Sequence, residues 1–408
     1  MNSFSSYITE QKNTHMTHIE DKVIYGGVKG TRDAIMALRS LRDMLGGQKN
    51  GNVSVKWDGA PAIFAGTDPR DGRFFVAKKG IFNKSPKVYK SDADIDADAS
   101  GDLADKLKLA LKYCATLGIK NVVQGDFLYG PGDVKTKKIA GKPYVTFHPN
   151  TIVYAVPAGT DMAKQIKAAK IGIVWHTTYK GKTFEGMKAS YGVKVDAFKK
   201  SKDVWSQDAM LRDLTKYTMS KDETNAVNEH LKTAGYIFNR IAGSTLRQLE
   251  KNQDLAKHIE THSNKYVRAG QLPPDPKKRV DALIKFIQDK YKKEMDTRKT
   301  PAGKATQQKK LNELLSFFSA KNKQSLIQMF ELQKEIVLAK LKLINSLNKL
   351  SKVDTFLKTT KGYRTTDPEG YVAIDKLGGD AVKIVDRMEF SYANFSPNIL
   401  KGWDKPGR

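Results

Sequence analysis

Val53-Ser54-Val55-Lys56-Trp57-Asp58-Gly59-Ala60-Pro61-Ala62-Ile63-Phe64 sets one lysine among apolar residues and follows it with an acid, a glycine and a proline. The run of Val, Ile and Phe predicts a strand over 53–64. A lysine amine is a nucleophile only when neutral, and a partly desolvated position near other cations lowers its pKa towards that state. The glycine lets backbone approach a bound ligand closely. A strand-end lysine beside a turn would look the same in so short a stretch, so the rest of the chain has to decide.

Working outward, residues 31–45 carry Ala34, Ile35, Leu38, Leu41 and Leu45 at helical spacing, and Gly46-Gly47 ends the run. Residues 73–77, 121–129, 144–156 and 171–178 are short, rich in Val, Ile, Phe and Tyr, and bounded by Gly, Pro and Asp, which predicts strands. Residues 103–117 repeat Leu at helical spacing between two of them. The first half therefore mixes strands and helices in one domain. From about Ala197 to Lys352 the composition shifts to Leu, Lys, Gln and Glu with apolar residues three and four apart, an all-helical module broken at Pro273-Pro274-Asp275-Pro276 and Thr300-Pro301. Strand-like composition returns at 371–374 and 381–390. The expected class is α+β: a core of antiparallel sheets and helices from 49–196 plus 356–396, a basic helical insertion over 197–355, an amino-terminal segment and helix over 1–48, and a tail over 397–408.

The 408 residues hold 71 Lys+Arg against 44 Asp+Glu, a net charge of +27. That excess exceeds what solubility needs and attracts polyanions, so nucleic acid is the expected partner. The single Cys114 cannot form an intramolecular disulfide, which fits a reducing compartment, with helix packing as its role. Residues 1–13 are polar and no apolar run reaches the length of a membrane span. A soluble, cytoplasmic protein with no membrane partner is expected. His148 and His176 have no nearby cysteine or histidine partner, which excludes a zinc site of the usual spacing.

Four further stretches follow in order. They are Phe74-Phe75-Val76-Ala77-Lys78-Lys79-Gly80; Val122-Val123-Gln124-Gly125-Asp126-Phe127-Leu128-Tyr129; Ile171-Gly172-Ile173-Val174-Trp175-His176; and Asp367-Pro368-Glu369-Gly370-Tyr371-Val372-Ala373-Ile374, trailed by Ala381-Val382-Lys383-Ile384-Val385. With Lys56-Trp57-Asp58-Gly59 they resemble, in order and spacing, the motifs of the covalent nucleotidyltransferase superfamily, the ATP-dependent DNA and RNA ligases and mRNA capping enzymes. The closest likeness is to phage RNA ligases of the tRNA-repair type. The resemblance implies an adenylation fold in which Lys56 takes AMP from ATP and Lys383 neutralises the α-phosphate. It also implies that Asp58, Gly59, Lys79, Asp126 and Glu369 contact the nucleotide, that Trp175 stacks on the purine, and that Asp126 and Glu369 hold magnesium. ATP and magnesium are the implied cofactors, and the ends of RNA or DNA strands the implied acceptor. Glu185-Gly186-Met187 with Lys194 is a rival pair, but it lacks an apolar strand after the glycine.

The chain departs from the pattern at four places: Ser54 for an acid, Pro61 for an arginine, Asp126 for a glutamate and Val385 for a second lysine. The 25 residues after Lys383 are too few for the oligonucleotide-binding barrel that DNA ligases and capping enzymes carry there, which is an expectation against a standard member of either group. Two alternatives stand beside the ligase. One is a capping-type transferase that never seals strands. The other is a non-catalytic nucleic-acid-binding or phage structural protein on a degenerate adenylation fold.

Overall fold

The computed structural model describes residues 18–47, 52–210, 218–351, 353–374 and 381–403, so the polar stretch 1–13 and the end of the tail lie outside the described residues. The protein is an α+β structure with three sheets.

A small antiparallel sheet joins β1 (Asn52–Lys56) to β13 (Gly370–Ile374) and β14 (Ala381–Ile384), with β13 in the middle. A larger sheet runs β10 (Val204–Asp208), β8 (Ile171–Lys180), β4 (Val122–Tyr129), β2 (Ala62–Thr67) and β3 (Phe74–Ala77), and β9 (Lys188–Tyr191) pairs with β8. The third sheet orders β12 (Gly362–Thr365), β11 (Asp354–Thr359), β7 (Ile152–Pro157), β6 (Lys142–Phe147) and β5 (Lys135–Ile139). Every pairing is antiparallel except β10 with β8.

Helices complete the layers. After α1 (Lys22–Tyr25), α2 (Gly27–Leu45) leads towards β1. Next come α3 (Asp92–Asp96), α4 (Gly101–Cys114) and α5 (Asp161–Ala168). Between β10 and β11 the described residues form six helices, α6 (Lys221–Arg240), α7 (Gly243–Lys251), α8 (Gln253–Arg268), α9 (Pro276–Asp296), α10 (Pro301–Leu315) and α11 (Ala320–Asn348), and α12 (Arg387–Phe395) follows β14. The local sequence explains where they start. Ser220 and Glu223 form a reciprocal capping box at α6. Asp275 and Thr300 cap α9 and α10, each with proline at the first helical position, where the missing N–H costs nothing. The two proline stretches thus open helices as well as breaking the run before them.

Four expectations need correction. The helical module begins at Lys221 and not near Ala197, because Val204–Asp208 extends the large sheet beside β8. The stretch 53–64 is two strands in different sheets, joined by the turn that holds Asp58 and Gly59. The stretch 144–156 is likewise two strands, β6 and β7, paired as a hairpin. After β14 the chain turns helical, since Asp386 accepts hydrogen bonds from the N–H groups of Met388 and Glu389 and caps α12.

The amino-terminal helix also packs differently from a separate segment. Ile35, Leu38 and Leu41 of α2 share one core with Leu231, Leu283, Leu326 and Leu343 of the helical module, and with Val53, Tyr371 and Ile384 of the small sheet. The small sheet thus lies against the helices on one face and turns Ser54, Lys56, Val372 and Lys383 to the other. A second core lies between the large sheet and α4, where Cys114 is fully buried. An aromatic third core, including Tyr129, Phe147, Tyr154 and Trp205, joins the second and third sheets.

Candidate active site

The small sheet sets the centre of the site. Its register pairs Lys56 with Gly370, Ser54 with Val372, and Val372 with Lys383. Cross-strand partners share a face and residues two apart on a strand share it too, so Lys56, Val372 and Lys383 all face away from the helical core that receives Val53, Tyr371 and Ile384. Lys56 makes an ion pair with Glu369, the residue just before its cross-strand partner. Gly370 is required by its surroundings. It adopts φ +149°, and a Cβ there would lie 2.4 Å from Val385 Cγ2 and 2.7 Å from the Ile384 carbonyl oxygen. Val385, at the place of a second lysine, is fully buried as packing behind that glycine.

The turn after Lys56 is tied down from both sides. Trp57 packs on Tyr154, with ring centroids 4.7 Å apart. The buried Asp58 carboxylate accepts hydrogen bonds from Asn150 Nδ2 at 2.6 Å and from the N–H groups of Thr151 and Ile152 at 2.7 and 3.0 Å, and the Asp58 N–H donates to the Tyr154 hydroxyl. Asp58 therefore serves as a tether: three donors hold its carboxylate, two of them on Oδ2, which leaves at most one acceptor site for the nucleotide contact expected of it. Gly59 lies against β4: a Cβ there would sit 2.5 Å from the Asp126 Cβ. The Ala60 N–H donates to the Phe127 carbonyl and the Phe127 N–H to that of Pro61, through a cis Ala60–Pro61 bond.

Beyond Gly59 the large sheet supplies Asp126 and a residue that the sequence weighed only as a zinc ligand, His176. The β4–β8 register runs Gln124 with Thr177 and then Gly125 with Trp175, so His176 is a bulge without a cross-strand partner. Bulges re-aim side chains. Here His176 points towards Asp126, its Nε2 3.9 Å from Oδ2, and Nδ1 lies 2.8 Å from the Thr177 hydroxyl. Trp175 goes the other way. It is fully buried above α4 with its Nε1 donating to Ser206 Oγ at 2.7 Å, so it presents no ring to a ligand and the expected purine contact is corrected. The aromatic ring on the open side is that of His176. The side chains of Lys56, Glu369, Asp126 and His176 keep 30, 10, 21 and 29 % of their surface exposed, enough to meet a ligand.

Burial pushes the Asp126 carboxyl up to about 7, helped by the nearby Glu369 and Asp58 carboxylates and opposed by the Lys56 ammonium. Burial also raises Glu369, again against Lys56. Burial and then the Lys56 charge lower Lys383, whose ammonium sits 4.9 Å from the Phe390 ring centroid. His176 is held down to about 4 by burial and by Lys56, so its ring is neutral at ordinary pH. These perturbed groups converge around Lys56, a mark of sites that do chemistry.

Lys79 is exposed on the turn Lys79–Phe82 that follows β3, beside Lys78, which pairs with Asp98 at 2.9 Å. Glu185 and Lys194 of the rival pair are both exposed. A cleft next to Glu369 is lined by the carboxyl groups of Asp58, Asp367, Asp386 and Glu389 as well. Among the described residues no three His, Cys, Asp or Glu side chains converge as a metal-binding set, and no helix is long and apolar enough to cross a membrane.

These features define an α+β protein whose lysine-centred cluster of charged side chains lies between a three-stranded sheet and a larger one. The chain belongs to a family of unknown function, DUF6267, which it matches over residues 13–399. No curated protein and no solved structure matches it.

Proposed function

We propose that the protein is an ATP-dependent polynucleotide ligase acting through a covalent lysyl-adenylate on Lys56. The observation that supports this best is the register of the small sheet: segments far apart in the chain bring Lys56 and Lys383 to one face with Glu369 paired to Lys56, and Asp126 and His176 stand near them.

In this reading Lys56, released from its ion pair with Glu369 and deprotonated, attacks the α-phosphorus of ATP in line. A P–N bond forms, the P–O bond to pyrophosphate breaks, and the amine proton leaves with solvent. Lys383 lies on the same face and offsets the charge that develops on the α-phosphate oxygens. His176, neutral and partly open, offers a ring to the purine; Asp126 offers a carboxyl to the ribose or to a water. Magnesium fits the hard oxygen donors of Asp126 and Glu369, because it is bound through one or two carboxylates together with substrate phosphates and so needs no set of three. The way burial and like charge raise both groups means that a cation would relieve them. When bound, it would polarise the phosphates and draw Glu369 from its ion pair with Lys56. The adenylate then passes to a nucleic-acid 5′-phosphate, and a 3′-hydroxyl displaces AMP.

A second reading, a non-catalytic nucleic-acid-binding or phage structural protein on the same fold, is favoured by the closed Lys56–Glu369 pair and by Asp126 in place of the longer glutamate. A capping-type transferase is the third. Incubation with magnesium and ATP or GTP labelled at the α-phosphate separates all three. Label from ATP that survives denaturation and vanishes in Lys56→Ala supports the adenylate, and sealing of a nicked or single strand completes the ligase reading. Label from GTP alone favours capping chemistry. Protein that stays unlabelled under every condition ends the catalytic reading.

A further inference from the structure

The antiparallel pair α2 and α6 carries a seam of cations around an exposed aromatic ring. Arg32, Met36 and Arg39 recur at spacings of four and three on α2, and Lys232, Tyr236 and Arg240 at spacings of four on α6, so each set forms one helix face. The helices bury their opposite faces, Ala34, Ile35, Leu38 and Leu41 on one and Val227, Leu231 and Ala234 on the other. Two contacts bring the outer faces side by side: Arg42 donates to Asn228 Oδ1, and a Cβ on Gly235 would sit 3.5 Å from Arg39 Nη2. The Tyr236 ring is 64 % exposed, with the Arg240 guanidinium 5.4 Å from its centroid, and Met36 is 44 % exposed.

The nearby acids do not neutralise the seam. Asp33 is taken by Lys29 and Asp43 by Arg42, and the exposed Glu229, one turn before Lys232, makes no ion pair with it. Among the described residues no carboxylate pairs with any of the four cations of the seam. Lys285 and Lys290 of α9, by contrast, pair with Asp289 and Glu294 one turn on. Unpaired cations bind phosphates, and an exposed ring flanked by arginines offers a stacking platform to a base. A duplex hides the faces of its bases; a single strand does not.

We infer that the α2–α6 seam binds single-stranded nucleic acid, with phosphates on Arg32, Arg39, Lys232 and Arg240 and a base stacked on Tyr236. This deepens the proposed polynucleotide reading by naming the surface and the form of strand, and it stands apart from the lysyl-adenylate chemistry. The test is fluorescence anisotropy of the full chain with dye-labelled single-stranded DNA and RNA of about 12 nucleotides, within the usual footprint of such surfaces, and with the matching duplex. Tyr236→Ala should weaken single-strand binding about tenfold while Tyr236→Phe keeps it, and Arg240→Ala should lower the salt dependence by roughly one phosphate contact. All three changes are exposed, so an unchanged melting temperature verifies folding. Absent strand binding, wild-type affinity in both alanine variants, or tighter duplex binding indifferent to Tyr236 would each overturn the inference. Labelling of Lys56 from ATP is read in the same preparations: label without strand binding removes the seam alone, and strand binding without label removes the ligase alone.

Discussion

The Asp58 carboxylate holds three donors at the start of β7, two of them backbone N–H groups in a buried turn. Alanine there leaves those donors without a partner, so Asp58→Ala should cost about 2–3 kcal/mol of stability, seen as a lower urea midpoint at unchanged slope. A wild-type midpoint would show that the tether contributes nothing. Asp126 gives the opposite sign. Its folded-state pKa stands near 7, above the ordinary carboxylate range, so the stability it contributes is full in acid and is lost as pH rises from about 4 through 7. Asp126→Asn should therefore be more stable than wild type at pH 8, by on the order of 1 kcal/mol, and equal to it below about pH 4. Urea unfolding at both pH values decides; equal stabilities at pH 8 would refute it. The lysine, its glycine and Glu369 were legible because each residue type is itself the signal. His176 was not. A strand's alternation says which residues share a face but not where a bulge resets it, and this bulge arises from pairing with β4, some fifty residues earlier in the chain. The role of Asp58 was hidden for a similar reason, since its partners lie more than ninety residues away.

At the level of elements, one buried pair fastens the long helix α11 to the amino-terminal segment. Lys340 is fully buried and donates to both oxygens of the Glu20 carboxylate at 2.9 Å, while Arg387 at the start of α12 reaches Glu20 and Asp21. Removing one partner strands a charge, so Lys340→Ala should lose about 3–5 kcal/mol, and pairing Lys340→Met with Glu20→Gln should recover much of it. Chemical denaturation of the single and double variants measures both, and a double variant no better than the single would show that the loss is one of packing. The proline breaks and the strand cores were readable from the residues that punctuate and fill them. The entry to the helical module was not, because only the partnership of Val204–Asp208 with β8 makes that short stretch a strand. The split of 53–64 had a local sign in Asp58-Gly59 and Pro61, but nothing local says that the strands on either side join different sheets.

Across the whole molecule, five of the six described histidines are held below their ordinary value, His18 to about 3, His148, His176 and His262 to about 4, and His258 in the same direction, with burial the largest cause in each. Each is neutral in the folded chain and free to protonate when unfolded. The stability they supply is complete above about pH 6.5 and lost as pH falls towards 4. Unfolding measured at neutral pH and near pH 5 should show a clear drop in midpoint, and a flat profile would contradict the burial of these rings. The net charge of +27 was readable from composition, but not its distribution, which depends on which lysines and arginines find carboxylates only after folding. The small sheet carries one more implication, for how the protein is made. β1 pairs only with β13 within its sheet, a strand translated about 300 residues later, so on the ribosome the nucleophile's strand must wait for nearly the whole chain before that partner emerges. Long-range pairings close slowly, and the lysine's surroundings are therefore among the last parts to assemble. A chain released early would carry the large sheet and the helices yet lack the face on which Lys56 and Lys383 meet.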